Sequence, residues 1–185
     1  MRREVLARRN DLPEKERLEK SKKIQERVFE LEEFNLANTV MVYINFGSEV
    51  ETKELIEKCL ELGKKVAVPV TDFDEHNLDL VLFEDFEELE ENRVGILEPP
   101  LETGREVNTK ELDLIIVPGI VFDEKGNRIG FGKAYYDEFL HTLKKKVPLI
   151  GLAFKFQVVE EVPAEKHDVK MNKIVTEKKV ISANA

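Results

Sequence analysis

Apolar positions along this chain follow two rhythms that take turns. From 13 to 32, Leu18, Ile24, Val28 and Leu31 recur on one side of a charged stretch, which predicts a helix. Asp11 stands where a cap would, and Pro13 suits a first turn. TVMVYI (39–44) is apolar nearly throughout, the pattern of a strand buried on both faces. Thr52 to Leu62 returns to helical spacing, with Leu55, Ile56, Cys59 and Leu60 inward and Gly63 closing it. KVAVPV (65–70) is a further strand, and Pro69 puts its end near an edge or a ligand. LDLVLF (78–83) alternates, as an edge strand or hairpin arm does. The acidic run EDFEELEE (84–91) reads as a solvated face, and Glu98-Pro99-Pro100 ends that excursion. LDLIIVP (112–118) and PLIGLAF (148–154) are buried strands with a helix from Ala134 to Leu143 between them, and KIVTE (173–177) is a last short strand. This alternation predicts an α/β fold of one domain, a largely parallel sheet with helices on both faces.

Composition narrows the partners. The 185 residues suffice for one sizeable core, and 42% are hydrophobic, as in an ordinary globular protein. A net charge of -9 argues against nucleic acid or an anionic membrane as the main partner, while leaving room for a local anion site. No run reaches the roughly 20 apolar residues of a membrane helix. MRREVLARRNDLP lacks the apolar stretch of a secretory signal, and Glu4 and Asp11 argue against a transit peptide. The single Cys59 has no partner for an intramolecular disulfide and fits a reducing cytoplasm, where it is expected to be a buried thiol.

The chemistry concentrates between Val117 and Leu140, in VPGIVFDEKGNRIGFGKAYYDEFL. A strand ends, a turn-rich loop follows, and a helix opens, which is where α/β proteins bind ligands. Gly126, Gly130 and Gly132 stand among Arg128 and Lys133, so backbone and cations together suit a phosphate. Tyr135, Tyr136 and Asp137 add ring faces and a carboxylate. The loop is no P-loop, because Ala134 follows Gly132-Lys133 where a hydroxyl is needed to hold magnesium. Nor is it GxGxxG, because Tyr135 takes the third glycine's place. A metal here must be held by carboxylates. Asp137 is the nearest candidate and Asp168, in PAEKHDVKMN (163–172), the second; a favourable charge at a helix start is the other reading of Asp137. Lys133 and His167 have plain surface readings as well, and His76 and His141 read as surface residues without partners. NFGSEVET (45–52) also joins a strand to a helix. Ser48 or Glu51 can cap that helix; Glu51 could instead bind the N–H groups of a heterocycle, and Phe46 could wall such a pocket or pack in the core.

Taken together these residues resemble the 5-formyltetrahydrofolate cyclo-ligase family. VPGIVFDEKGNRIGFGKAYYD is similar to its VPG-x-x-F-D-x-x-G-x-R-x-G-x-G-x-G-Y-Y-D signature, GLAFKFQVVEEVPAEKHDVKMNKIVTE to its C-terminal A-F-x-x-Q…P…HD motif, and EVET to a third landmark. The resemblance implies a three-layer α/β/α fold and the conversion of 5-formyltetrahydrofolate to 5,10-methenyltetrahydrofolate with ATP and Mg²⁺, in a cytoplasmic, monomeric enzyme acting on small molecules. It implies an ATP loop of Arg128, Ile129, Gly130, Phe131, Gly132, Lys133, Ala134, Tyr135 and Tyr136, with Lys133 and Arg128 catalytic. Arg2 resembles the family arginine that reaches the nucleotide phosphates, with Arg3 standing in for a preceding lysine. Phe46, Glu51 and the stretch Phe131 to Tyr135 would face the folate, and Asp137 and Asp168 would hold the metal. Three features depart from the family: Ala134 stands where it usually has Gly, Asn172 where it often has Asp, and the lysine before the family arginine is missing. Rival readings are a sugar-phosphate isomerase, which needs a phosphate loop but no ATP, a non-catalytic nucleotide-binding module, and an acidic scaffold.

Overall fold

The computed structural model describes residues 1–103 and 105–183. The chain opens with a helix that the apolar pattern does not announce, α1 (Arg2–Asn10), because its residues are mostly charged. The expected helix from 13 to 32 is α2 (Glu14–Phe29) followed by a short α3 (Glu32–Leu36). Asp11 is the C-cap of α1; the N-cap of α2 is Pro13, with no side-chain bond. The strand at 39–44 is shorter than expected, β1 (Thr39–Met41), although the Val42 N–H still donates to the Ala67 carbonyl. Then come α4 (Lys53–Glu61), β2 (Lys65–Asp72), β3 (Asn77–Leu82), and two short strands, β4 (Glu90–Glu91) and β5 (Leu97–Glu98). β6 (Leu114–Val117) leads into a hairpin of β7 (Val121–Asp123) and β8 (Arg128–Ile129), inside what the sequence presents as one loop. α5 (Tyr135–His141), β9 (Leu149–Leu152), β10 (Val158–Val159), β11 (Lys173–Val175) and β12 (Val180–Ser182) complete the order.

The main sheet runs β12-β11-β9-β6-β1-β2-β3, antiparallel at its two outer pairs and parallel within. Its central strands are buried on both faces, and alternate side chains divide between two cores. Val40, Leu114, Ile116, Ile150 and Leu152 join Ile24 and Val28 of α2 and Leu55, Ile56 and Cys59 of α4. Met41, Ile115, Val117 and Leu149 join Phe139 and Leu140 of α5 on the other side. The expected three-layer α/β/α arrangement follows from that period-two alternation. A small sheet, β10-β7-β8, carries the hairpin, and α1 lays Val5 and Leu6 against its Ile120, Val121 and Val162.

Two leucines expected inside are not. Leu18 is 46% exposed, one turn before the buried stripe of α2 begins at Ser21, and Leu60 is 37% exposed at the rim of the α4 stripe. Polar side chains fill the seam instead: the Gln25 Oε1 accepts the Leu55 N–H near the start of α4, and the Ser21 Oγ accepts that of Glu51. The acidic run at 84–91 is largely exposed, as expected, with Glu84 and Glu88 paired to Arg105. Among the described residues no helix is long and apolar enough to cross a membrane.

Candidate functional site

A cleft of about 680 Å³ opens where the parallel strands end. Residues 128–137 form one wall, so the whole expected loop reaches it. The loop after β1 contributes Ile44, Phe46 and Glu49, the end of β2 contributes Pro69 and Thr71, β5 contributes Leu97 and Glu98, and α1 contributes Arg2. Pro69 lies on the cleft wall, and its missing N–H lies past the end of β1, where no ladder bond is lost.

The loop owes its shape to fixed anchors. The Asp123 carboxylate, fully buried, accepts from the Lys125, Asn127 and Val162 N–H groups and from the Asn127 side chain, which clamps the β7–β8 turn. Burial works to raise its pKa, but these bonds hold it below the ordinary carboxylate value. Beyond β8 the chain turns left-handed at Gly132 (φ +92°), where a β-carbon would stand 2.9 Å from the Arg2 guanidinium. It does so again at Ala134 (φ +58°), the N-cap of α5. Arg128 is nearly buried and donates to the Asp137 Oδ1 at 2.9 Å. Lys133 and Phe131 are exposed, Phe131 by 53%. Tyr136 lies deep enough that burial raises its phenol pKa.

The two carboxylates of EVET separate. Glu51, expected at the ligand, pairs with Arg17 and is not among the lining residues. Glu49, which the sequence reading passed over, is 7% exposed and lines the cleft. Burial pushes its pKa up to about 7, opposed by the Phe46 N–H that donates to its Oε2 and by the charge of Arg9. Arg9 is equally unforeseen. It is 2% exposed, donates to the Ser48 Oγ and the Gly119 carbonyl, and lies 5.7 Å from the Phe131 ring centroid. Neither Ser48 nor Glu51 caps α4; its N-cap is Thr52. Phe46 is 45% exposed on the cleft rim. Arg3 is exposed and outside the lining, while Arg2 is within it.

Asp137 and Asp168 both face the cleft, with side chains 31% and 28% exposed. Among the described residues no cluster of three or more His, Cys, Asp or Glu could hold a metal. Two carboxylates on one cleft nevertheless suit Mg²⁺, which commonly takes one or two protein oxygens and completes its shell with water and phosphate. A second recess of about 580 Å³ shares Pro163, Glu165 and Asp168 with the cleft and is lined by Lys125, Lys166 and Lys170. Asn127 lies on its wall, 5% exposed; its amide N–H is committed to Asp123 and its Oδ1 has no partner among the described residues.

The remaining histidines and departures also find places. His76 and His141 do have partners, the Lys133 and His167 carbonyls respectively. Cys59 is buried as expected, its thiol pushed up to about 12 by burial. Asn172 is outside the cleft lining and bonds β9, its Oδ1 accepting the Leu149 N–H.

Residues 1–177 match the model of the 5-formyltetrahydrofolate cyclo-ligase family. A 5-formyltetrahydrofolate cyclo-ligase of Escherichia coli K12 is 36% identical over 147 residues, covering 78% of this chain and 81% of that protein. One of Mus musculus is 31% identical over 186 residues, covering 96% and 92%. Among solved structures, the 5,10-methenyltetrahydrofolate synthetase of Aquifex aeolicus superposes with a TM-score of 0.85 at 33% identity, over 100% of this chain and 91% of that one. The synthetase of Mycoplasma pneumoniae, at 23% identity and a TM-score of 0.77, shares the fold over 95% and 96%.

Proposed function

The chain belongs to the 5-formyltetrahydrofolate cyclo-ligase family and is an enzyme of that class, and from this we propose that it closes 5-formyltetrahydrofolate to 5,10-methenyltetrahydrofolate while ATP is cleaved to ADP and phosphate, with Mg²⁺ bound. The observation that carries the reading is the shared cleft: a buried carboxylate, exposed aromatic rings, a glycine loop with cations and two further carboxylates all line one space. Phe46 and Phe131 would flank a flat heterocycle. Glu49 rather than Glu51 would accept its N–H groups, because Glu49 is the one of the pair in the cleft. Lys133, Arg2 and the backbone of residues 129–133 would receive the phosphates. The second recess would take the nucleoside end, where the Asn127 Oδ1, without a partner among the described residues, can accept a donor.

A formyl amide oxygen is a poor nucleophile, so positioning must supply much of the rate. In the proposed reaction that oxygen attacks the γ-phosphorus and ADP leaves. N10 then attacks the activated formyl carbon and gives up its proton to water, and the C–O bond to phosphate breaks as the ring closes. Mg²⁺, held by Asp137 and Asp168, would supply charge neutralisation at the phosphates. Arg128, through its bond to Asp137, fixes that carboxylate's orientation. Lys133 is free to follow the transferring group from its exposed position. Near-ultraviolet absorbance of the methenyl product, followed with 5-formyltetrahydrofolate, ATP and Mg²⁺ and with each omitted in turn, tests the reading. Signal that needs all three is expected. Signal without ATP overturns the phosphoryl step, and Lys133→Ala that leaves the ATP dependence unchanged removes that lysine's role, for which a loss of about tenfold or more is expected.

A further inference from the structure

We propose that His76, at the tip of the β2–β3 hairpin, is a positioning residue that clamps the Lys133–Tyr135 segment of the loop without touching substrate. The proposal rests on the reading of that loop as the ligand-binding one. His76 comes from a different part of the chain and reaches the segment twice. Its ring stacks on Tyr135, centroids 4.3 Å apart and planes 29° from parallel. Its Nε2 lies 3.0 Å from the Lys133 carbonyl oxygen. A carbonyl can only accept, so that nitrogen carries the proton. The same nitrogen lies 3.6 Å from Glu138 on α5, so the contact spans the junction of loop and helix.

The segment needs an outside hold. It changes hand at Gly132 (φ +92°) and again at Ala134 (φ +58°), and a left-handed alanine persists only where its surroundings over-determine it. The peptide that carries the Lys133 carbonyl is the one leading into Ala134. Fixing that oxygen fixes the peptide plane that joins the Lys133 and Ala134 α-carbons, and the ring stacked on Tyr135 holds the next residue. The hairpin tip can serve as a fixed point because it is itself tied down. The Asp72 Oδ1 accepts from the Asp74 and Glu75 N–H groups, and the Arg93 guanidinium lies 4.7 Å from the Phe73 ring centroid. His76 also adopts a positive φ of 53°, so the tip spends strain of its own to present the ring.

Backbone amide order parameters and steady-state kinetics on the full chain test this together. His76→Ala should lower the order parameters of residues 131–136 from the rigid value of about 0.85 towards about 0.6, in the absence of any ligand. It should reduce kcat/KM about tenfold, mostly through KM for the nucleotide, with kcat and the thermal midpoint little changed. His76→Phe keeps the ring and loses the bond, His76→Gln keeps a donor and loses the ring, and each should fall between parent and His76→Ala. The loss should shrink in an Ala134→Gly background, where the left-handed turn holds without strain, giving non-additivity that an independent surface histidine would not show. Unchanged order parameters overturn the clamp, whatever the kinetics. Lower order parameters with kcat/KM within about twofold of parent overturn its role in positioning. If the parent shows no ligase turnover, the proposed activity fails while the order parameters still decide the clamp. Should His76→Ala not fold, the Phe and Gln variants carry both readouts.

Discussion

At the scale of single residues, the left-handed Ala134 and the buried Glu49 make opposite demands. Ala134 holds φ at +58°, a conformation that costs an L-residue about 1–2 kcal/mol. Glycine there would remove that strain and give back part of it as chain entropy, about 0.5–1 kcal/mol. Ala134→Gly should therefore raise the unfolding free energy by about 0.5–1 kcal/mol in urea titrations; a lower midpoint would mean the methyl group packs to advantage. The departure from glycine was legible in the sequence as a backbone question, and the positive φ is its answer. Glu49 was not legible. EVET offers two carboxylates two positions apart, and β1 ends at Met41, so no regular alternation tells which one turns inward. Its pKa, raised by burial from 4.5 to about 7, means the folded state binds a proton that the unfolded chain releases between those values. The contribution is stabilising below the unfolded value and is lost as pH rises through about 7. Between about pH 5 and about pH 8 the stability difference between Glu49→Gln and parent should thus move in the variant's favour, by up to about 3 kcal/mol. Paired urea titrations read this slope whatever the offset at one pH, and a flat difference would place the titration elsewhere.

At the scale of elements, the strands and helices of the two cores follow directly from apolar period, because Val40, Ile116 and Ile150 must bury one way and Met41 and Ile115 the other. What the period could not show is structure held by polar groups. The β7–β8 hairpin rests on Asp123, the start of α4 on Gln25, and α1 on Arg9. Arg9 is the most telling, since an arginine on a charged helix gives no sign that it will be 2% exposed. It bonds the Ser48 hydroxyl after β1 and the Gly119 carbonyl after β6, so one side chain ties α1 to two loops. Arg9→Gln should cost about 3 kcal/mol, because a buried charge network loses one member and Glu49 stays behind. The same change removes an attraction that lowers the Glu49 pKa, so the Glu49-dependent pH transition should move above about 7. A variant with parent stability and an unmoved transition would show that α1 is held by Val5 and Leu6 alone.

At the scale of the whole molecule, an acidic chain carries a cation-bearing cleft at the end of its sheet. The net charge of -9 disfavours an anion at long range, so in the proposed function attraction would come at short range from Arg2 and Lys133, with a divalent ion, where bound, neutralising the phosphates. The cleft also joins pieces far apart in sequence: α1, the loop after β1, the β2–β3 and β4–β5 hairpins, residues 128–137 and the segment at 163–168. A ligand that bridges them stabilises the fold by mass action rather than by any one contact. At about a hundred times its dissociation constant the gain is about 2.7 kcal/mol, which for a chain of this length shifts the thermal midpoint by about 5–10 °C. Mg²⁺ with ATP should give that shift in a thermal scan, and either alone should give much less, because Asp137 and Asp168 would repel the phosphates until the proposed ion neutralised them. Replacing both carboxylates, Asp137→Asn with Asp168→Asn, reverses the logic. The variant should lose the dependence on Mg²⁺ while keeping some response to ATP alone, since Arg2 and Lys133 on the cleft wall remain. A double variant that still needs Mg²⁺ for the full shift would move the ion to other oxygens of the same cleft.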